Sequence, residues 1–231
     1  MSPTAHHRSR GLPDKRRAIS QAARRVFGRE GYARASLDAI ALEADVAKRT
    51  IYNHYADKED LFRSVAVEGA DAVTETVRAL MERHLRKIVD LEDDLTAFCL
   101  DRARSVTEFP EHFALVRTIH AEASRLPAAF LETWAAHGPP TAHLRLAPYL
   151  EKIADRGLLA FDDAARAAHR LNTLTMNDVL MRSYYGAVPL PDAEVEEVVT
   201  DGVRAFLHLY APPPPPSSSL PPSPDPARTT S

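Results

Sequence analysis

The sequence predicts an all-α protein, with an N-terminal three-helix helix-turn-helix module and a larger helical domain behind it. Three observations predict this class. Strand-like alternation of apolar and polar residues is almost absent. Apolar residues recur instead at helical spacing, with capping residues, prolines and glycines where such helices would start and stop. Residues 36–55, SLDAIALEADVAKRTIYNHY, read as two short helices joined by a tight turn.

The elements follow in order. Ile19, Ala22, Ala23, Val26 and Phe27 make the first helix amphipathic, and Gly31 stops it. Ser36 is a natural N-cap for the second helix, its hydroxyl and the helix start both open to a phosphate. Leu37, Ile40 and Ala41 give that helix one apolar stripe, and Val46 and Ile51 supply the next contacts. Asp57, with Asp60 three residues later and Ala56 and Leu61 at staple positions, opens a fourth helix over 58–84, interrupted only at Gly69. Further helices are expected over 91–107, 110–125 (Pro110 at its first position) and from Pro127 through Trp134. Gly138-Pro139-Pro140 is a break. A helix over 141–156 ends at Gly157, Asp162 or Asp163 caps a long one to Tyr185, and Pro191 begins the last, over 192–210.

The second helix of the turn motif carries the chemistry. Lys48, Arg49, Thr50, Tyr52, Asn53 and His54 fall on its outward side. Basic, amide, hydroxyl and phenol groups on a short helix are what a DNA major groove admits and what base edges and phosphates can bond. Lys48, Arg49 and Asn53 are candidates for base edges. Ser36, Thr50, Tyr52, His54 and Lys58 are candidates for phosphates. Charge supports this partner. The chain has a net charge of −3, but residues 1–63 carry 13 Lys+Arg against eight Asp+Glu, and the remainder 16 against 24. The basic part coincides with the motif, as an electrostatic footprint on nucleic acid should.

Phe27, Gly31 and Tyr32, then Ser36, Ile40 and Ala41, Val46 and Lys48, Thr50-Ile51-Tyr52, His54-Tyr55 and Lys58-Glu59 with Leu61 together resemble the TetR family of bacterial transcriptional repressors, over residues 14–63. Asp45 departs from the family, which usually has glycine in that turn. Aspartate tolerates the left-handed backbone better than most residues, but it adds a negative charge near DNA. Further on, LVRTIHAEASRLPAAFLETW, GPPTAHL and ADRGLLAFDD resemble the AefR-like C-terminal domains of one TetR subgroup. The resemblance implies a homodimer on a palindromic operator in double-stranded DNA, joined through the last two long helices, here 162–185 and 192–210. Leu171, Leu174, Val179, Leu180, Val195, Val198, Val199, Phe206 and Leu207 would serve the core or that seam.

The resulting division is a basic arm (1–12) expected to be disordered, a helix-turn-helix domain (13–57), a helical regulatory and dimerisation domain (58–210) and a Pro-rich tail (211–231). The tail holds nine of the 18 prolines and cannot bury a core. Phe98, Arg102, Phe113, Arg117, His120, Trp134 and Tyr149 could line a cavity for a small-molecule effector among the regulatory helices, as ligand pockets between helices have this composition. The other reading of each is ordinary core. Phosphate loops, nucleophile elbows and metal-binding His-Glu motifs are missing, so no catalytic residue, metal or cofactor is expected. Cys99 is the single cysteine, in an apolar helical setting, and reads as a small buried hydrophobe. One cysteine, no long apolar stretch and no secretory leader point to a cytoplasmic protein without membrane contact. A regulator that activates, one without a ligand, and an all-α enzyme remain alternative readings.

Overall fold

A side-chain cap or a proline stands at the start of every α-helix of seven or more residues in the computed structural model, which describes residues 11–138 and 143–213. Among the described residues every regular element is helical. Helix α1 spans Leu12–Glu30 and ends at Gly31, which takes a φ of 81° that suits glycine. Helix α2 is Leu37–Glu43, with the Ser36 hydroxyl accepting the Ala39 amide at 3.1 Å. Helix α3 is Lys48–Tyr52. Helix α4, Lys58–His84, is capped by Asp57, whose carboxylate accepts the Asp60 amide at 2.8 Å. The Asp60 side chain in turn accepts the Ala56 amide at 3.1 Å, so the two acids satisfy the helix start between them.

The remaining helices are α5 (Leu91–Glu108), α6 (Pro110–Glu122), α7 (Ala128–His137), α8 (Ala147–Asp155), α9 (Ala164–Asn172), α10 (Asp178–Arg182) and α11 (Asp192–Leu209). Short 3₁₀ segments extend α6 and precede α8, and a π-helical turn at Thr173–Asn177 joins α9 to α10. Asp163 is the residue that caps α9, accepting the Arg166 amide at 2.9 Å. Three expectations change. The helix expected over 141–156 is α-helical only over Ala147–Asp155, after the 3₁₀ segment His143–Leu146, and residues 141–142 lie outside the described ones. Helix α4 runs through Gly69 unbroken, and the missing side chain there makes room for His112 of α6, whose Nδ1 would lie 2.8 Å from a β-carbon at that position. The expected single helix to Tyr185 carries the π turn and ends at Arg182. The basic arm through residue 10, with His6 and His7, Pro139-Pro140 and the tail from residue 214 lie outside the described residues.

Two apolar cores form. The first joins α1, α2 and α3 to the start of α4, to α6 and to α7. Phe62 sits at its centre, edge-on to Phe27 at 4.9 Å and stacked on Phe130 at 5.1 Å. The second packs the end of α4 with α5, α8, α9 and α11. Leu171, Val179, Leu180, Val199 and Phe206 are buried within the monomer. No described helix is long and apolar enough to cross a membrane.

Candidate nucleic-acid interface and ligand cavity

The turn between α2 and α3 closes as a Schellman motif. The Val46 amide donates to the Ala41 carbonyl at 3.0 Å and the Asp45 amide to that of Leu42 at 3.2 Å, with Asp45 left-handed at φ 55°. Helix α3 then starts at Lys48, held against α1 and α2 by fully buried Ile51. Buried Tyr55 follows, its hydroxyl 3.0 Å from that of Ser20 on α1. With that side fixed inward, Ser36, Lys48, Arg49, Tyr52 and Asn53 are exposed and Thr50 is half-buried. Lys48 reaches Asp38 at 2.9 Å, and this hydrogen bond holds its pKa above the ordinary lysine value.

The rest of the expected set lies differently. Helix α3 ends at Tyr52, so Asn53 is its C-cap and His54 lies beyond it. His54 is half-buried, its Nε2 enclosed without a hydrogen-bond partner, in a cleft with Arg16, Arg17 and Arg24 of α1. Lys58 turns its Nζ to the Ala35 carbonyl at 2.9 Å and lies 4.6 Å above the Tyr32 ring. The three arginines were absent from the sequence-based set. The signal for Arg16 and Arg17 was the basic run at the start of α1, and Arg24 lies two turns beyond Arg17 on the same helix.

Helix α6 ties the α1–α3 module to the later helices. Gly28 of α1 passes so near α6 that a β-carbon there would sit 2.8 Å from the Ala114 methyl. Thr118 donates to the Phe27 carbonyl at 3.2 Å. The two carboxylate oxygens of Glu122 accept the backbone amides of Tyr32 and Ala33, both at 3.0 Å. Nothing in the sequence marked this contact, which joins residues 90 and 89 positions apart.

Of the residues expected to line a pocket, Arg102 and Phe113 face one cavity, shared with Val73, Val77, His112 and Leu180. Its water-sized space is about 50 Å³, and it opens to solvent at its mouth. Trp134 stands behind His112 at 6.0 Å between rings. His120 lies tilted against the Tyr185 ring, 4.9 Å between ring centres, and lines a neighbouring cleft with His143 and His169. Arg117 donates to the Tyr185 carbonyl at 2.6 Å, and partial burial lowers its pKa. Phe98 is in the second core, and Tyr149 bonds Glu82 on the outside. Burial lowers the pKa of His112 to about 4, so it is neutral at pH 7, and raises that of the Cys99 thiol to about 11.

Comparison with known proteins agrees with this arrangement. Residues 93–212 match the family described as AefR-like transcriptional repressor, C-terminal domain, and residues 19–65 match bacterial regulatory proteins, tetR family. The chain is 26% identical over 196 residues to the HTH-type transcriptional repressor AcnR of Corynebacterium efficiens, covering 83% of this chain and 93% of that protein. Its fold resembles a TetR-family transcriptional regulator from Mesorhizobium loti, with a TM-score of 0.76 and 28% identity over 88% of this chain and 100% of that one. The flavonoid-responsive regulator FrrA is also 28% identical, with a TM-score of 0.62 over 87% of this chain and 98% of that one. The chain belongs to the tetR family of bacterial regulatory proteins, with an AefR-like C-terminal domain.

Proposed function

We propose that this regulator is a homodimeric repressor that reads a palindromic operator and leaves it when a small ligand enters the regulatory domain. The observation that carries the reading is the exposed face of α3, where Lys48, Arg49, Tyr52 and Asn53 project from a helix whose other side is pinned by Ile51 and Tyr55. Residues 13–57 are then the reader and 58–210 the sensing and dimerising part, working in the cytoplasm. Arg16, Arg17 and Arg24 supply phosphate contacts beside the end of α3, with Ser36 and Thr50 on its other flank. Lys58 reaches the backbone only if it leaves the Ala35 carbonyl.

The dimer seam is assigned to the end of α10 and the segment that leads from it to α11. Met181, Tyr184 and Val188 are 63%, 69% and 58% exposed there, an apolar grouping a second copy would cover. Responsiveness to a small molecule is supported by the cavity and by likeness to FrrA, which is flavonoid-responsive. Selection from a random duplex pool tests the reading. The expected product is a two-fold site with half-site centres about 34–36 Å apart. Asn53→Ala should relax preference at one position of each half-site, at a cost of about 1–3 kcal/mol. A folded protein that enriches no palindrome overturns the proposal.

A further inference from the structure

Arg102 is 8% exposed, and among the described residues its guanidinium has one side-chain partner, the Asn172 amide oxygen at 2.5 Å. Among the described residues no carboxylate lies within ion-pairing reach of it. A guanidinium presents five N–H donors, and a buried charge facing only neutral groups is unfavourable. Burial accordingly pulls its pKa below the usual arginine value, with nearby Cys99 the only opposing influence. The other polar groups nearby do not balance this charge. His112 lines the same cavity and is almost wholly buried, with its Nδ1 turned to Gly69 and without a hydrogen-bond partner among the described residues. The cleft on the far side of Asn172, lined by His120, His143 and His169, contains no acidic residue either.

The π turn builds the wall between these spaces. Residues five apart on an α-helix point about 140° away from each other. The wider turn at Thr173–Asn177 brings Asn172 and Asn177 together, Nδ2 donating to Oδ1 at 3.0 Å. Asn172 is thereby fixed with its oxygen towards Arg102, which is held in place without being neutralised.

We infer that this cavity binds an amphipathic monocarboxylate, its carboxylate on Arg102 and its hydrocarbon body against Val73, Val77, Phe113 and Leu180. The inference names the effector class for the ligand-controlled release proposed above and rests on that reading for its role. One guanidinium among neutral groups matches a single negative charge. A phosphate monoester would bring a second charge with nothing to balance it, because His112 is neutral at pH 7. A carboxylate also accepts the paired N–H groups of a guanidinium in the planar geometry it favours.

The test uses the full-length protein with butyrate, octanoate, benzoate and cinnamate, each against its own primary amide, by thermal shift and titration calorimetry. At least one acid is expected to bind, with its amide roughly tenfold or more weaker. Arg102→Met, a replacement of similar length without charge, is expected to remain folded and to lose the preference for acid over amide. The inference is overturned if no acid of the panel binds, if the amides match the acids, or if the preference survives Arg102→Met. Should that variant not fold, the acid and amide comparison on the unaltered protein decides alone. Titration of operator DNA separates the two readings. Binding through Arg102 that leaves operator affinity unchanged supports this site and removes ligand-controlled release.

Discussion

Asp45 carries a β-carbon into left-handed backbone, at φ 55° and exposed, in the turn just before the DNA-reading helix. That conformation costs an L-residue about 1–2 kcal/mol, and glycine avoids the cost while adding about 0.4–1 kcal/mol of unfolded-chain freedom. Asp45→Gly is therefore expected to raise stability by about 0.5–1 kcal/mol in urea unfolding. Loss of the carboxylate should also tighten duplex binding, most clearly at low salt. An unchanged or lower urea midpoint would refute the strain. His112 gives a second residue-scale expectation, in pH. Its pKa falls from an ordinary 6.5 to about 4 on folding, chiefly through burial and next through the charge of Arg24. The unfolded chain then takes up the proton first as pH drops. The contribution of His112 is complete above pH 6.5 and is lost as pH falls towards 4, a difference of at most roughly 3 kcal/mol. Burial of His143 acts in the same direction. His112→Leu should flatten the acid limb of stability against pH, and a limb of unchanged slope would exclude His112 as its source. Of these two residues, Asp45 was legible because turn chemistry is local. The titration of His112 was not, because its environment comes from α4 and α7.

At the scale of elements, helices whose ends carry side-chain caps or prolines were readable, since those signals sit within a few residues of the boundary. Ser36, Asp57, Pro110 and Asp163 all stand at helix starts. The π turn was invisible because an extra residue in a helical turn leaves no compositional mark. What identifies it in space is Gly202 on α11. A β-carbon there would lie 2.1 Å from the Leu174 carbonyl oxygen, inside the π turn. Backbone cannot move aside as a side chain can, so Gly202→Ala must push α11 and the turn apart. The expected loss is about 1–3 kcal/mol in chemical unfolding, with weaker Asn172–Asn177 pairing and a disturbed Arg102 pocket. Wild-type stability in this variant would mean that the two elements have slack the geometry does not show.

Across the whole molecule, the two-part plan was readable from charge and period, but the way the parts are joined was not. Phe62 packs between Phe27 of the reader and Phe130 of α7, so one core serves both sides of the residue 57/58 division. The choice between core and seam for the last helices was equally closed to a single sequence, since a buried leucine and an interface leucine look alike in composition. Glu122 adds a mechanical consequence. Helix α6 begins at the cavity, with His112 and Phe113, and ends where the Glu122 carboxylate grips the Tyr32 and Ala33 amides. At 1.5 Å per residue those ends are about 15 Å apart, so a tilt of about 5° at the cavity end swings Glu122 by roughly 1 Å. Hydrogen bonds of 3.0 Å do not survive such a stretch, so the turn before α2 must travel with the carboxylate or let it go. Under the proposed ligand-controlled release, helix α6 would be the lever between the cavity and the reader.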